Sequence, residues 1–165
     1  MAESNKKTMS ITYLKGDATY PVGSGHKIIV HVCNDIGKWG KGFVLAISKR
    51  WKQPEVNYKA AYTDTTPFPA LGDVQFIKVA DDITVANLIG QHGIKRTNSK
   101  STPPIRYPAI KQGLESVARY ALDHRGTVHM PRIGCGLAGG QWKEIEPIIE
   151  EILINAGVNT TVYDF

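Results

Sequence analysis

An α/β domain with a mixed sheet between layers of helices is the fold class this sequence predicts. Apolar, β-branched runs alternate along the chain with segments whose apolar residues recur at helical spacing. One pair of runs is separated only by a short turn, which sets an antiparallel hairpin inside an otherwise parallel arrangement. The 165 residues are enough for one domain with a sizeable core, and no internal repeat or linker divides them. The expected organisation is a flexible polar tail over residues 1–9 and a single domain over 10–165.

Taken in order, Ser10 to Leu14 (SITYL) reads as a first strand, ended by Lys15-Gly16-Asp17. His26 to Cys33 (HKIIVHVC) is a buried-type strand. Phe43, Val44, Leu45, Ala46 and Ile47 with Trp51 fit a helix from about Gly42 to Trp51. Pro54 suits a second helix start, carried on by Val56, Tyr58, Ala61 and Tyr62, and Thr63 to Ala70 is a proline-marked loop. Gly72 to Val79 and Ile83 to Ile89 flank the Asp81-Asp82 turn as a hairpin. Gly90 to Pro104 is polar and irregular, the kind of long segment that often carries function. Ile110, Leu114, Val117, Ala118, Ala121 and Leu122 mark one helical face that stops near Gly126. Thr127 to Ile133 is a strand, with Pro131 arguing against long pairing at its end. Trp142, Ile145, Ile149, Ile152 and Leu153 trace a last helix; Pro147 must lie in its first turns, so it starts between Trp142 and Ile145. Asn159 to Tyr163 is a final strand.

Composition narrows the function classes. No apolar run is long enough to span a membrane, and Met1 to Thr8 lacks the apolar core of a secretory signal, so a cytoplasmic protein is expected. Cys33 and Cys135 have no zinc or disulfide spacing and read as small thiols in a reducing compartment; a catalytic Cys135 thiolate needs a base that the sequence does not supply. The formal charge of +5 suits an anionic partner, but the lysines and arginines are dispersed, so a solvated basic surface is favoured over nucleic-acid binding.

Two glycine-rich loops carry the chemistry. Asn34 to Gly42 follows the second strand, and Arg132 to Trp142 follows the fifth. Glycine lets a ligand approach the main chain, and a helix start offers free N–H groups and a positive dipole end. Two such loops suit a diphosphate gripped from both sides. Gly134-x-Gly136-x-x-Gly139 also matches the dinucleotide fingerprint, with Asp164 as the ribose acid, but that unit normally opens its fold and here would close it. Asn34 suits either a ribose-bonding amide or a turn former, and Asp17 either an acceptor for an adenine amine or a turn carboxylate. His31 and His129 lie within strands and read as core histidines.

Ile11 to Asp17 (ITYLKGD), His31 to Asn34 (HVCN), Gly40-x-Gly42, Met130 to Leu137 (MPRIGCGL), Gln141-Trp142 and Thr161 to Tyr163 (TVY) resemble a macrodomain, of the type that includes the terminal ADP-ribose glycohydrolase and the ADP-ribose-1″-phosphate phosphatase. The resemblance implies a three-layer α/β/α fold with a six-stranded mixed sheet and an ADP-ribose site over the strand ends. It places Asp17 at the adenine amine, and Phe165 or Tyr163 near that base. Asn34, Gly40, Lys41, Gly42, Phe43 and Gln91 fall at the distal ribose and phosphates. Gly134, Cys135, Gly136, Leu137, Ala138 and Gly139 wrap the diphosphate. It implies ADP-ribose or an ADP-ribosylated macromolecule as partner, and calls for neither metal nor cofactor.

The same resemblance exposes departures. The glycohydrolase type uses a lysine on the fourth strand and an aspartate in the second loop, and Gln91 and Ala138 stand there. Another hydrolytic class carries an aspartate after the first loop, where this chain has Val44. Glutamine is no amine nucleophile, and alanine and valine supply no acid or base. The remaining catalytic candidates are Asn34, Asp35 and His92, with Asp35 or His92 activating a water. Two readings follow: a hydrolase acting at the distal ribose, or a module that binds ADP-ribose without turnover.

Overall fold

The structure is a computed structural model that describes residues 9–64, 66–94 and 102–165. The tail expected over 1–9 and the middle of the Gly90–Pro104 segment lie outside the described residues, apart from residue 9 at the tail's end. Six strands form one sheet: β1 (Thr12–Lys15), β2 (Lys27–Asn34), β3 (Val74–Ala80), β4 (Ile83–Gln91), β5 (Thr127–Met130) and β6 (Thr160–Asp164), in the order β1-β6-β5-β2-β4-β3. Every neighbouring pair is parallel except β3 with β4, the expected hairpin. The helices are α1 (Phe43–Arg50), α2 (Gln53–Thr63), α3 (Tyr107–His124) and α4 (Trp142–Ile149), the last running into a π-helical turn, Glu150–Ile154.

Period-two alternation along β2 builds two cores. Ile28 and Val30, with Leu88 of β4 and Met130 of β5, pack under Leu114 and Val117 of α3 and Ile145 and Ile149 of α4. On the other face Ile29 and Cys33, with Val85 and Ile89, meet Ile47 of α1 and Tyr58 of α2. Because both faces are covered, β2 and β4 are buried along nearly their whole length and are largely apolar, with His31 and Asn87 among the buried polar exceptions.

β2 lies between β5 and β4, and the chain leaves the carboxyl ends of β2 and β5 in opposite directions. From β2 it passes through α1 and α2 to the β3–β4 edge; from β5 it passes through α4 to β6, toward the β1 edge. Diverging connections open a crevice above the strand ends, where open α/β sheets bind ligands.

Several boundaries differ from the sequence reading. β5 stops at Met130, three residues short of Ile133, because Pro131 has no N–H to pair. β4 runs two residues past Ile89 to Gln91, into the polar segment. α4 starts at Trp142 with Pro147 in its second turn, as expected, but the helix beyond it widens into the π-type Asn155 N–H···O=C Glu150 bond of 2.9 Å. The stop of α3 is Arg125, which takes the left-handed conformation (φ 51°), while Gly126 donates back to the Ala121 carbonyl at 2.8 Å. Gly126 is small for packing: a Cβ there would lie 2.7 Å from Ile28 Cδ1.

Gly113 makes a similar demand inside α3, where a Cβ would fall 2.4 Å from Cγ of the fully buried Leu88. Alanine gains about 1 kcal/mol of helix propensity, but overpacking a rigid sheet position costs about 1–3 kcal/mol. Gly113→Ala is therefore expected to lower stability, measured as a reduced urea midpoint at unchanged slope; a rise would show that Leu88 can yield.

Candidate active site

Asn34 ends β2 and organises the first loop. Its Oδ1 accepts from the N–H of Ile36 (3.1 Å) and Lys38 (3.0 Å) and lies 2.6 Å from the Tyr58 hydroxyl, while Nδ2 donates to the Lys38 carbonyl at 2.7 Å. The turn-forming role is thus filled, and one amide N–H of Asn34 is left for a ligand. Gly42, with φ 83°, precedes α1, whose first turn carries no acid and no side-chain cap. The Leu45 N–H bonds back to Gly42 O at 3.1 Å, and among the described residues no acceptor meets the N–H groups of Phe43 and Val44.

The second loop folds tightly on itself. Gly140 N donates to Gly134 O at 2.7 Å, Gly139 N to Gly136 O at 3.0 Å, and Ile105 N to Ala138 O at 2.9 Å. A Cβ on Gly140 would lie 2.5 Å from the Gly134 carbonyl oxygen, so glycine is obligatory there. Among the described residues, the N–H groups of Gly136, Leu137 and Ala138 have no acceptor.

Between the loops lie two adjoining cavities of about 210 and 280 Å³ that share Val32, Lys41, Val44, Gln91 and Leu137 as walls. Phe43, Gly42, Gly134, Gly136 and Ala138 are among the other walls of the first; Asn34, Lys38, Gly40 and Ile94 are among those of the second. Lys38, Lys41 and Arg132 line this trough, and among the described residues no Asp or Glu does. Main-chain N–H groups without acceptors, a helix N-terminus and a set of cations, of which Arg132 is paired to Asp164, give the trough the character of an anion site. A third cavity of about 630 Å³ is lined by Asp17, Thr19, Tyr20, Arg50 and the exposed Phe165, among others. Asp17 Oδ1 takes bonds from the Thr19 N–H (2.9 Å) and hydroxyl (2.8 Å), leaving Oδ2 without a partner among the described residues.

Asp35 and His92 come together at 2.8 Å (Oδ2 to Nδ1), and Asp35 Oδ1 accepts from the Gly93 N–H at 2.8 Å. This is an orienting carboxylate on an imidazole whose Nε2 has no partner among the described residues, although neither residue lines the two cavities; the pair sits beside Gln91 and Ile94, which do. Burial raises the Asp35 carboxyl, but the Gly93 N–H and His92 outweigh it and hold the group below the usual carboxylate range. Gln91 turns its amide to the Gly93 carbonyl at 2.9 Å.

Other candidates are placed differently. Cys135 packs against the core beneath its loop instead of lining the trough, and burial pushes its thiol up, with Arg132 offsetting only part, so it stays protonated. Gly139 faces Pro103. Tyr163 is buried, paired to His129 at 2.7 Å, and His31 and His129 are core residues. Sequence reasoning gave no role to Lys38 or Arg132, and reached Lys41 only as part of the Gly40-to-Phe43 stretch. The signal for Lys41 was a charge set between two loop glycines. Arg132 is held by a bidentate pair to Asp164 (2.6 and 3.0 Å) and lies 5.1 Å from the ring centres of Tyr13 and Trp142. Among the described residues no group of three or more His, Cys, Asp or Glu is placed to hold a metal, and no helix is long and apolar enough to cross a membrane.

No family model matches the chain. The solved structure of a macrodomain protein from Streptomyces coelicolor is 49% identical, superposes with a TM-score of 0.82, and is covered over 99% of its length by 94% of this chain. The chain belongs to the macrodomain family. Over its whole length this macrodomain is also 31% identical to the mouse chromodomain-helicase-DNA-binding protein 1-like, of which it spans 19%. It thus corresponds to about a fifth or less of the first curated relatives it matches. The bovine ADP-ribose glycohydrolase OARD1 is 29% identical over 93% of this chain and 90% of the relative.

The depressed Asp35 carboxyl has a signed consequence. Its ionised form stabilises the fold above the unfolded-chain pKa of about 3.9, and that contribution is lost as pH falls through the lower folded value. The stability deficit of Asp35→Asn should therefore be full at neutral pH and close in acid, followed by urea unfolding across pH 2–7. In His92→Ala the Asp35 pKa, read by carboxyl NMR, should move up. An unmoved value would remove His92 from the interaction.

Proposed function

We propose that this macrodomain binds ADP-ribose along the trough and hydrolyses a group from its distal ribose. The observation that carries the reading is the pair Gly40 and Gly136. Neither has a positive φ, and a Cβ on either would meet nothing within 4 Å. Backbone conformation and packing leave both glycines unexplained, yet both line the trough, where a side chain would stand in the path of a ligand approaching the main chain.

In this reading Asp17 Oδ2 accepts from the adenine amine, with Phe165 beside the base. The free N–H groups of Phe43, Val44, Gly136, Leu137 and Ala138 hold the diphosphate, and Lys41 and Arg132 balance its charge. The spare Asn34 N–H and Gln91 meet the distal ribose. His92, oriented by Asp35, takes a proton through Nε2 from a water that attacks the phosphorus of the 1″-phosphate, or C1″ of an ADP-ribosylated macromolecule; the bond to the leaving oxygen breaks, and Nε2 passes the proton to that oxygen. The substrate is ADP-ribose-1″-phosphate or an ADP-ribosylated macromolecule in the cytoplasm. The name of the bovine relative, an ADP-ribose glycohydrolase, supports the substrate class.

Saturating the site at 100 times the dissociation constant should stabilise the protein by about 2.7 kcal/mol. Gly136→Val should retain the unliganded melting temperature and lose this shift; no shift in the wild type at millimolar ADP-ribose would sink the reading. With ADP-ribose-1″-phosphate or ADP-ribosylated protein, turnover should fall by about 10²–10⁴-fold in His92→Ala. Undiminished turnover would remove the dyad from catalysis, and none in the wild type at near-stoichiometric enzyme would leave a binding module.

A further inference from the structure

His31 is a polar residue that the proposed chemistry does not use. It is 1% exposed, projects from β2 toward the α1–α2 layer, and is one of the residues lining the first cavity beside Gly42 and Phe43. Its Nε2 lies 2.5 Å from Oδ1 of the fully buried Asn87, its register partner on β4.

A chain of hydrogen bonds fixes which imidazole nitrogen carries the proton. Backbone carbonyls can only accept. Gln75 Nε2 donates to the Asn57 carbonyl at 3.3 Å, so Gln75 Oε1 is an acceptor. Asn87 Nδ2 donates to that Oε1 at 3.2 Å and to the Pro54 carbonyl at 3.1 Å. Asn87 must then turn its oxygen to His31, and His31 must donate through Nε2. The neutral ring is thereby left with a bare lone pair on Nδ1. Among the described residues the polar atom recorded near Nδ1 is the Cys33 sulfur, at 4.0 Å, a weak donor at the limit of reach. Burial holds the ring neutral by lowering its pKa to about 4.

A buried acceptor without a strong donor is costly unless something fills it. We propose that His31 is a specificity-determining residue of the trough, its Nδ1 accepting a hydrogen bond from a hydroxyl of the distal ribose. This rests on the ADP-ribose reading. With both phosphates ionised, the O–H donors of ADP-ribose are its sugar hydroxyls, and its adenine amine is matched to Asp17. The cavity that His31 lines shares its Val32 and Gln91 walls with the one assigned to the distal ribose. α2 thus sets, through two side-chain amides, the acceptor that the ligand meets.

The test uses the whole chain with ¹⁵N-labelled histidine and two ligands, ADP-ribose and ADP, which lacks the distal ribose. In the free protein His31 should show a protonated Nε2 and a bare Nδ1, and saturating ADP-ribose should move the Nδ1 resonance upfield while ADP leaves it in place. H31Q keeps an N–H₂ to meet Asn87 Oδ1 but removes Nδ1. It should bind ADP-ribose about tenfold more weakly and ADP as tightly as the wild type. A proton on Nδ1 in the free protein, an Nδ1 signal indifferent to ADP-ribose, or equal losses for both ligands would overturn the inference while leaving ADP-ribose binding intact. A wild type that binds neither ligand would overturn the ADP-ribose reading itself, and this inference with it.

Discussion

The contact between Asn34 and Tyr58 is the interaction on which the rest of the site depends. β2 is buried on both faces, so the backbone leaving it must find partners at once. Asn34 supplies them to the loop through both ends of its amide, and Tyr58, fully buried on α2, lies 2.6 Å from both oxygens of Asn34 and accepts from the Gly37 N–H at 3.1 Å. Burial pushes the Tyr58 phenol up, so it keeps its O–H as a donor. The consequence is positional. With the start of the loop tied to α2, Gly42 and the first turn of α1 are carried to the crevice edge, facing the loop that follows β5.

That geometry makes the electrostatics one-sided. α1 has no acid in its first turn and no side chain bonded to its leading N–H groups, an arrangement that leaves orphan donors facing open space. Lys38 and Lys41 stand on the same side and Arg132 on the other. Nearby acids are committed elsewhere: Asp164 to Arg132, and Asp35 to His92 and Gly93. An anion entering the trough replaces water on donors that have no better partner, at a place where low dielectric strengthens each bond.

How much of this the sequence disclosed varies with the range of the interaction. The strand and helix succession and the hairpin are local patterns and were readable, as were the two glycine loops. Asn34 looked like a choice between turn former and ligand donor, and the fold shows that one amide has enough hydrogen-bonding groups for the turn with an N–H to spare. Gly126 was readable as a stop but not for its actual reason, since Arg125 takes the left-handed turn and the glycine answers to Ile28, nearly a hundred positions earlier. Lys41 and Arg132 gave no periodic signal because their importance comes from facing each other across a crevice. The tautomer of His31 was beyond reach, because it is fixed by carbonyls of a helix more than twenty residues away.

The departures at Gln91, Ala138 and Val44 find their place in the same geometry. The trough's donors are main-chain N–H groups, and these survive any substitution that leaves the loop fold intact. Gln91 bonds Gly93, and Ala138 gives its carbonyl to Ile105, so both positions serve the scaffold without a charged side chain. On the proposed reading, binding is built into the backbone, while acid–base groups come from side chains at the rim. A chain can exchange one set of rim groups for another and keep the clamp. In the proposed reading, the rim histidine held by Asp35, on a segment that Asp35 pins to the first loop, takes the part of a lysine or an aspartate inside the trough.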